Sequence, residues 1–120
     1  MNFKDITSKL DNERMQQSIP DRMRDYEFIK IDSILNQNVN VTDYALYESN
    51  DTVKYSAGNT KAVHIIIEID GKMYRTSTHG KRIVQAFEFL EANGGITEPI
   101  QTAFTRTMLN NNQSMLDFKF

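Results

Sequence analysis

The hydrophobic pattern is most informative between residues 61 and 78. Lys61-Ala62-Val63-His64-Ile65-Ile66-Ile67-Glu68-Ile69 and Lys72-Met73-Tyr74-Arg75-Thr76-Ser77-Thr78 are two β-type runs separated by Asp70-Gly71. Asp-Gly supplies the two positive-φ positions of a type I′ turn, the tight connection that matches the twist of paired strands. A two-residue loop also sets the register, and register assigns faces. Ile69 opposes Lys72, Ile67 opposes Tyr74, Ile65 opposes Thr76 and Val63 opposes Thr78, so the Val63/Ile65/Ile67/Ile69 stripe marks the core side. The other face pairs Glu68 with Met73, Ile66 with Arg75, His64 with Ser77 and Ala62 with His79. Arg75 and His64 are therefore expected to point outward.

The flanking segments extend this pattern. Val39-Asn40-Val41-Thr42 alternates and runs into Tyr44-Ala45-Leu46-Tyr47, a β-type composition. Residues Glu48 to Thr60 form a polar connection broken by Gly58-Asn59. Gly80 to Ala92 reads as a helix, with Ile83, Ala86, Phe87 and Leu90 at i, i+3, i+4 and i+7 and Gly94-Gly95 as its stop. Pro99 opens a strand from Ile100 to Leu109. Asn110 to Ser114 is a turn, and alternation buries Leu116, Phe118 and Phe120. Ahead of all this, Phe3, Ile6 and Leu10 recur at helical spacing, and Pro20-Asp21 suggests a turn. Residues 1–33 read as an N-terminal extension, either a helical appendage or a loosely held tail, and residues 34–120 as the domain.

Composition narrows the class. A chain of 120 residues has the size of one domain. The absence of cysteine excludes a disulfide scaffold, a thiolate metal site and a cysteine nucleophile. No apolar run approaches the roughly 20 residues of a membrane span, and the N-terminus lacks the apolar stretch of a signal peptide. A soluble, cytoplasmic protein without membrane contact is the expectation. Met1 to Asp51 holds six Lys/Arg against ten Asp/Glu, whereas Thr52 to Phe120 holds eight against six. Bulk polycationic binding is thus excluded, but a local basic patch is not.

Catalytic constellations are thin. The sequence contains no G-x-S-x-G, Walker, H-E-x-x-H or G-x-G-x-x-G motif, so neither an enzyme nor a cofactor is expected. His64 and His79 share a hairpin face, with Glu68 the only further candidate metal ligand, which favours solvent or nucleic acid as what they meet. Glu88 and Glu91 read as a solvated helix face. Gly71 to Phe87 carries Lys72, Arg75, Lys81 and Arg82 without an acid. That is either ordinary surface or the lining of a groove. Tyr44, Tyr47, Tyr55 and Phe104 are the aromatics expected to escape the core. Tyr55, beside Lys54 and short of Lys61, is either a stacking ring or a loop anchor.

Strand, strand, strand, helix, strand, strand is the order of an OB-fold, a mainly β, five-stranded Greek-key barrel with one helix between strands three and four. Its ligand face is the outer surface of strands two and three, flanked here by Glu48 to Thr60 and Asn110 to Ser114. Over roughly Ile34 to Phe120 the chain resembles small single-stranded-DNA-binding proteins of bacteriophages. The likeness rests on the strand Asn38 to Tyr47, the hairpin VHIIIEIDGKMYRTSTHGKR and the helix IVQAFEFLEANG that follows. It implies non-sequence-specific binding of single-stranded DNA in phage or mobile-element replication or recombination, within the bacterial host cytoplasm. Lys54, Tyr55, Lys61, His64, Lys72, Arg75, His79, Lys81 and Arg82 would supply the contacts, basic groups following phosphates and rings stacking bases. Tryptophan is absent, which leaves stacking to Tyr and Phe. Such a protein has scope for a homodimer or higher oligomer and for replication or recombination proteins as partners. The alternative is a phage protein that binds and inhibits a host protein, its acidic first half meeting a basic partner.

Overall fold

Asp70 and Gly71 adopt φ angles of 51° and 84° in the computed structural model, the left-handed pair expected of the tight turn. The structure describes residues 18–49, 60–108 and 114–119. In chain order the elements are β1 (Glu27–Phe28), β2 (Val39–Ser49), β3 (Thr60–Ile69), β4 (Lys72–Thr78), α1 (Lys81–Ala92), β5 (Ile100–Met108) and β6 (Ser114–Lys119). Short 3-10 turns at Asp21–Met23 and Ile31–Ile34 lead into them. The β3–β4 ladder has the expected register, from Ile69 opposite Lys72 to Val63 opposite Thr78. It ends there, one residue short of the expected Ala62–His79 pair.

The strands form one curled, half-barrel sheet in the order β1-β4-β3-β2-β5-β6. Only β1 and β4 run parallel; the other neighbours are antiparallel. Contact between β2 and β5 is confined to Val39–Val41 against Ile100–Thr102. The mainly β expectation holds, but its details need correction. There are six described strands, not five, and the helix follows the fourth, not the third. The cause is Glu27–Phe28, a polar-aromatic dipeptide with no alternation of its own, which adds to the free edge of β4.

A bulge in β2 decides which side chains reach the core. Its register against β3 shifts between Val41 and Asp43. Val41 then opposes Ile67 while Tyr44 opposes Ile65, so both lie on the core face. Without the extra residue, positions three apart would point to opposite sides. The concave face of the sheet holds Val63, Ile65 and Ile67, all fully buried, and α1 closes over it with Ile83, Val84 and Phe87. Val84 is buried where the helical stripe pointed to Ala86, which is exposed. Phe104 also departs from expectation. It has no exposure, because β5 turns it into the core against Phe118, 5.3 Å between ring centroids. At the far side, Gly80 lies against β6, where an added Cβ would stand 3.3 Å from Leu116 Cδ2. The start of α1 thus lies against the last strand.

A second, smaller core lies on the convex face. Ile19 and Met23 bury themselves on Ile66, with Tyr26, Ala45 and Met73 around them. Further along, Ile31 and Ile34 belong to the main core. Asn36 N–H donates to the Phe104 carbonyl at 2.7 Å, which ties the approach to β2 onto β5. The described part of the first 33 residues is therefore packed across the outside of the sheet and then into it. Among the described residues no helix is long and apolar enough to cross a membrane.

Candidate functional site

The convex face of the hairpin carries the side chains that alternation sends away from the core. His64 opposes Ser77, Ile66 opposes Arg75 and Glu68 opposes Met73. The neighbouring strand adds Asp43, Ala45 and Tyr47 beside Ile66, His64 and Ala62. Arg75 lies on the face opposite Ile67, as expected.

His64 does not meet solvent, and that expectation is corrected. Its ring has no exposure. Tyr47 stacks on it at 4.3 Å with 13° between the planes, and residues ahead of β1 cover the rest. Ser18 Oγ stands 2.9 Å from Nε2 and Ser77 Oγ 2.5 Å from Nδ1. A neutral imidazole satisfies both contacts, donating from one nitrogen and accepting at the other. Burial, then the charges of Arg75 and His79, lower its pKa to about 4. The ring is therefore uncharged at neutral pH, and it is sealed in. His79 is exposed, its ring steeply tilted to that of Tyr47 with 6.4 Å between centroids.

Arg75 is half-buried. Its guanidinium carbon lies 5.2 Å from the Phe28 ring centroid, a cation–π arrangement. Its Nε is shielded from solvent and has no hydrogen-bond partner among the described residues. Burial lowers its pKa, though a guanidinium stays charged at any physiological pH. Phe28 itself is 46% exposed.

The remaining basic candidates do not share this face. Lys61 Nζ reaches Glu88 Oε2 of α1 at 3.1 Å. This gives Glu88 a partner that the reading of a solvated helix face did not include. Arg82, on α1, pairs with Asp117 of β6 at 2.9 Å. Lys81 is exposed at the start of the helix. Lys72, at the turn, holds Glu27 at 2.8 Å and lies 5.0 Å from the Tyr74 ring centroid. The hydrogen bond to Glu27 raises its pKa. Lys54 and Tyr55 fall outside the described residues. The described candidates thus divide: His64, Arg75 and His79 cluster on the convex face, while Lys61, Lys81 and Arg82 belong to the helix side and Lys72 shares the core-side register of Ile69 and Tyr74.

Sequence reasoning missed the segment that completes the convex face. Arg22 Nε donates to Asp43 at 2.8 Å, and its Nη2 to the Tyr44 carbonyl at 3.1 Å. Ser18 caps His64, Met23 sits on Ile66, and β1 lines the edge of β4. Only Pro20-Asp21 signalled any of this. On the other side, Val41, Phe89, Leu90, Ile100 and Phe118 help to line a groove of about 440 Å³ between α1 and β5. Among the described residues no group of three His, Asp or Glu side chains could hold a metal ion. No family model, curated protein or solved structure matches this chain.

Proposed function

We propose that the chain binds single-stranded nucleic acid without sequence preference, through the convex face of the β3–β4 hairpin. The observation that carries this reading is Arg75. It is a half-buried cation whose Nε has no hydrogen-bond partner among the described residues, set over one aromatic ring and near a second stacked system, Tyr47 on His64. Cations beside aromatic faces are what a strand of phosphates and bases requires. Strand order adds support. Without β1 the sequence is β4-β3-β2-β5-β6, compatible with an OB-type barrel opened at one seam, with α1 over its interior. The role that follows is coating of single-stranded DNA in the replication or recombination of a phage or mobile element. The ion pairs of Lys61 and Arg82 lie on the helix side, away from this face; the Lys72–Glu27 pair is largely exposed, and a phosphate can compete for such a group.

Titration of a labelled oligonucleotide across a salt series tests the reading. About three simultaneous phosphate contacts give a log–log slope near −2, at roughly −0.7 each for single strands. Arg75→Ala weakens binding equally for all sequences, because a phosphate contact carries no base information. Absence of binding at low salt would refute the proposal. The second reading, capture of a protein partner, draws on the apolar groove between α1 and β5, where Phe89 is 72% exposed. A protein that ignores oligonucleotides but loses its partner on Phe89→Ala would establish that reading instead.

A further inference from the structure

Residues 26–29 run along the edge of the sheet and divide their side chains between its faces. Tyr26 packs on the convex-face core of Ile19, Met23 and Ile66. Ile29 packs into the main core, and its N–H donates to the Arg75 carbonyl at 2.9 Å. The segment is thus held on both sides of Phe28. Phe28 itself belongs to neither core and is 46% exposed. The register sets it opposite Arg75, on the convex face. The guanidinium carbon lies over the ring, 5.2 Å from its centroid. A cation therefore takes one face of the ring, and the exposed part leaves the other face to solvent. A side chain held in place beforehand loses little freedom when it meets a ligand.

The middle of the convex face offers no comparable ring. His64 is fully buried, Ile66 lies under Ile19 and Met23, and Tyr47 is half-buried with its ring stacked on His64. Phe28 presents an open aromatic face, which suits a flat π-system. The cation beneath it selects among such groups, favouring one that carries negative charge at its side. A nucleobase on the outer face of Phe28 brings its flanking phosphodiester within the roughly 10 Å over which a charge acts at 0.1 M salt. Resting on the nucleic-acid reading, we propose that Phe28 is the base-stacking residue of this face, presented by β1 at the margin of β4. Every base has a π-face, so such a contact is tolerant of sequence. The bound strand then follows the β1–β4 margin and does not cross the covered centre of the hairpin. The short strand β1, which lies outside the five-strand order of an OB-type barrel, becomes part of the binding surface.

Titration of the full-length chain with oligo-dT decides the matter. Phe28→Ala is expected to weaken binding at least about fivefold, the low end of what a stacked base contributes. Its log–log salt slope should stay that of wild type, because the ring touches no phosphate, whereas Arg75→Ala should flatten the slope by about 0.7. An abasic oligomer of the same length should bind wild type and Phe28→Ala alike. Phe28→Leu keeps apolar bulk without a ring face and should lose affinity as Phe28→Ala does, which preserves the test if the alanine variant unfolds. The chain contains no tryptophan, so Phe28→Trp introduces a lone indole at the contact. That variant should bind within about twofold of wild type, and its fluorescence should be quenched in step with binding. The stacking role falls, and the binding reading survives, if wild type binds but Phe28→Leu binds as tightly, or if the Phe28→Trp emission is unmoved at saturation. A salt slope that flattens in Phe28→Ala would also overturn it, by making the ring a support for Arg75 and not a contact. If neither wild type nor variants bind at low salt, both proposals fall together.

Discussion

Acidification should destabilise this protein through one ring. His64 is fully buried, and its pKa is lowered from 6.5 to about 4 by burial, Arg75 and His79. Above pH 6.5 the imidazole is neutral both folded and unfolded, so it adds no pH dependence. Between pH 6.5 and about 4 the unfolded chain takes up a proton that the folded chain refuses, and stability falls with pH. Below about 4 both states are protonated and this contribution levels off. At about 1.4 kcal/mol per pKa unit, that gap sets a ceiling of about 3 kcal/mol. Hydrogen bonding alone would not forbid the charge, since Ser18 and Ser77 could both accept; desolvation and the neighbouring cations do. The assay is urea unfolding from pH 7.5 to 4, comparing wild type with His64→Gln. Carboxylates and His79 are common to both proteins and cancel in the difference. The stability advantage of wild type over the variant should shrink by about 2–3 kcal/mol over that range. A difference constant within about 0.5 kcal/mol would refute the reasoning, as would an NMR titration of His64 centred near 6.5.

Two further substitutions test the hairpin itself. Thr76 is fully buried on the core face, and its Oγ1 has no hydrogen-bond partner among the described residues; Thr76→Val should raise stability by about 1 kcal/mol, since an unpaired hydroxyl is costly to bury, and a loss in the urea midpoint would mean a hidden partner. Gly71 has φ +84° with open space around its Cβ position, so Gly71→Ala should cost only the backbone term, roughly 1–2 kcal/mol, whereas a loss above about 3 kcal/mol would contradict a purely backbone cost.

Local chemistry made the hairpin legible. Asp70-Gly71 admits one tight turn, and a two-residue turn leaves one register for Val63, Ile65, Ile67 and Ile69. The helix was legible for a similar reason: its apolar spacing and its Gly94-Gly95 stop lie within a few residues of one another. In both, the deciding contacts are close in sequence. The bulge between Val41 and Asp43 carries no such mark, because what selects it is the chance to bury Tyr44 beside Val41 under α1. Phe104 sits in a run that alternates weakly, and its burial depends on where β6 brings Phe118.

The candidate site shows the same division more sharply. That Arg75, His64 and His79 belong to the convex side follows from periodicity alone. Whether such a side is wet follows from what the rest of the chain lays over it. Ser18, Met23, Glu27 and Phe28 lie in a densely charged stretch with little apolar periodicity. They reach β3 and β4 across more than forty residues, Ser18 to His64 being 46 apart. Lys61 with Glu88, and Lys72 with Glu27, are ion pairs between elements whose proximity no local pattern encodes. Alternation chooses the face of a strand because the backbone repeats every two residues; solvent exposure belongs to the assembled surface, and only the tertiary structure determines it.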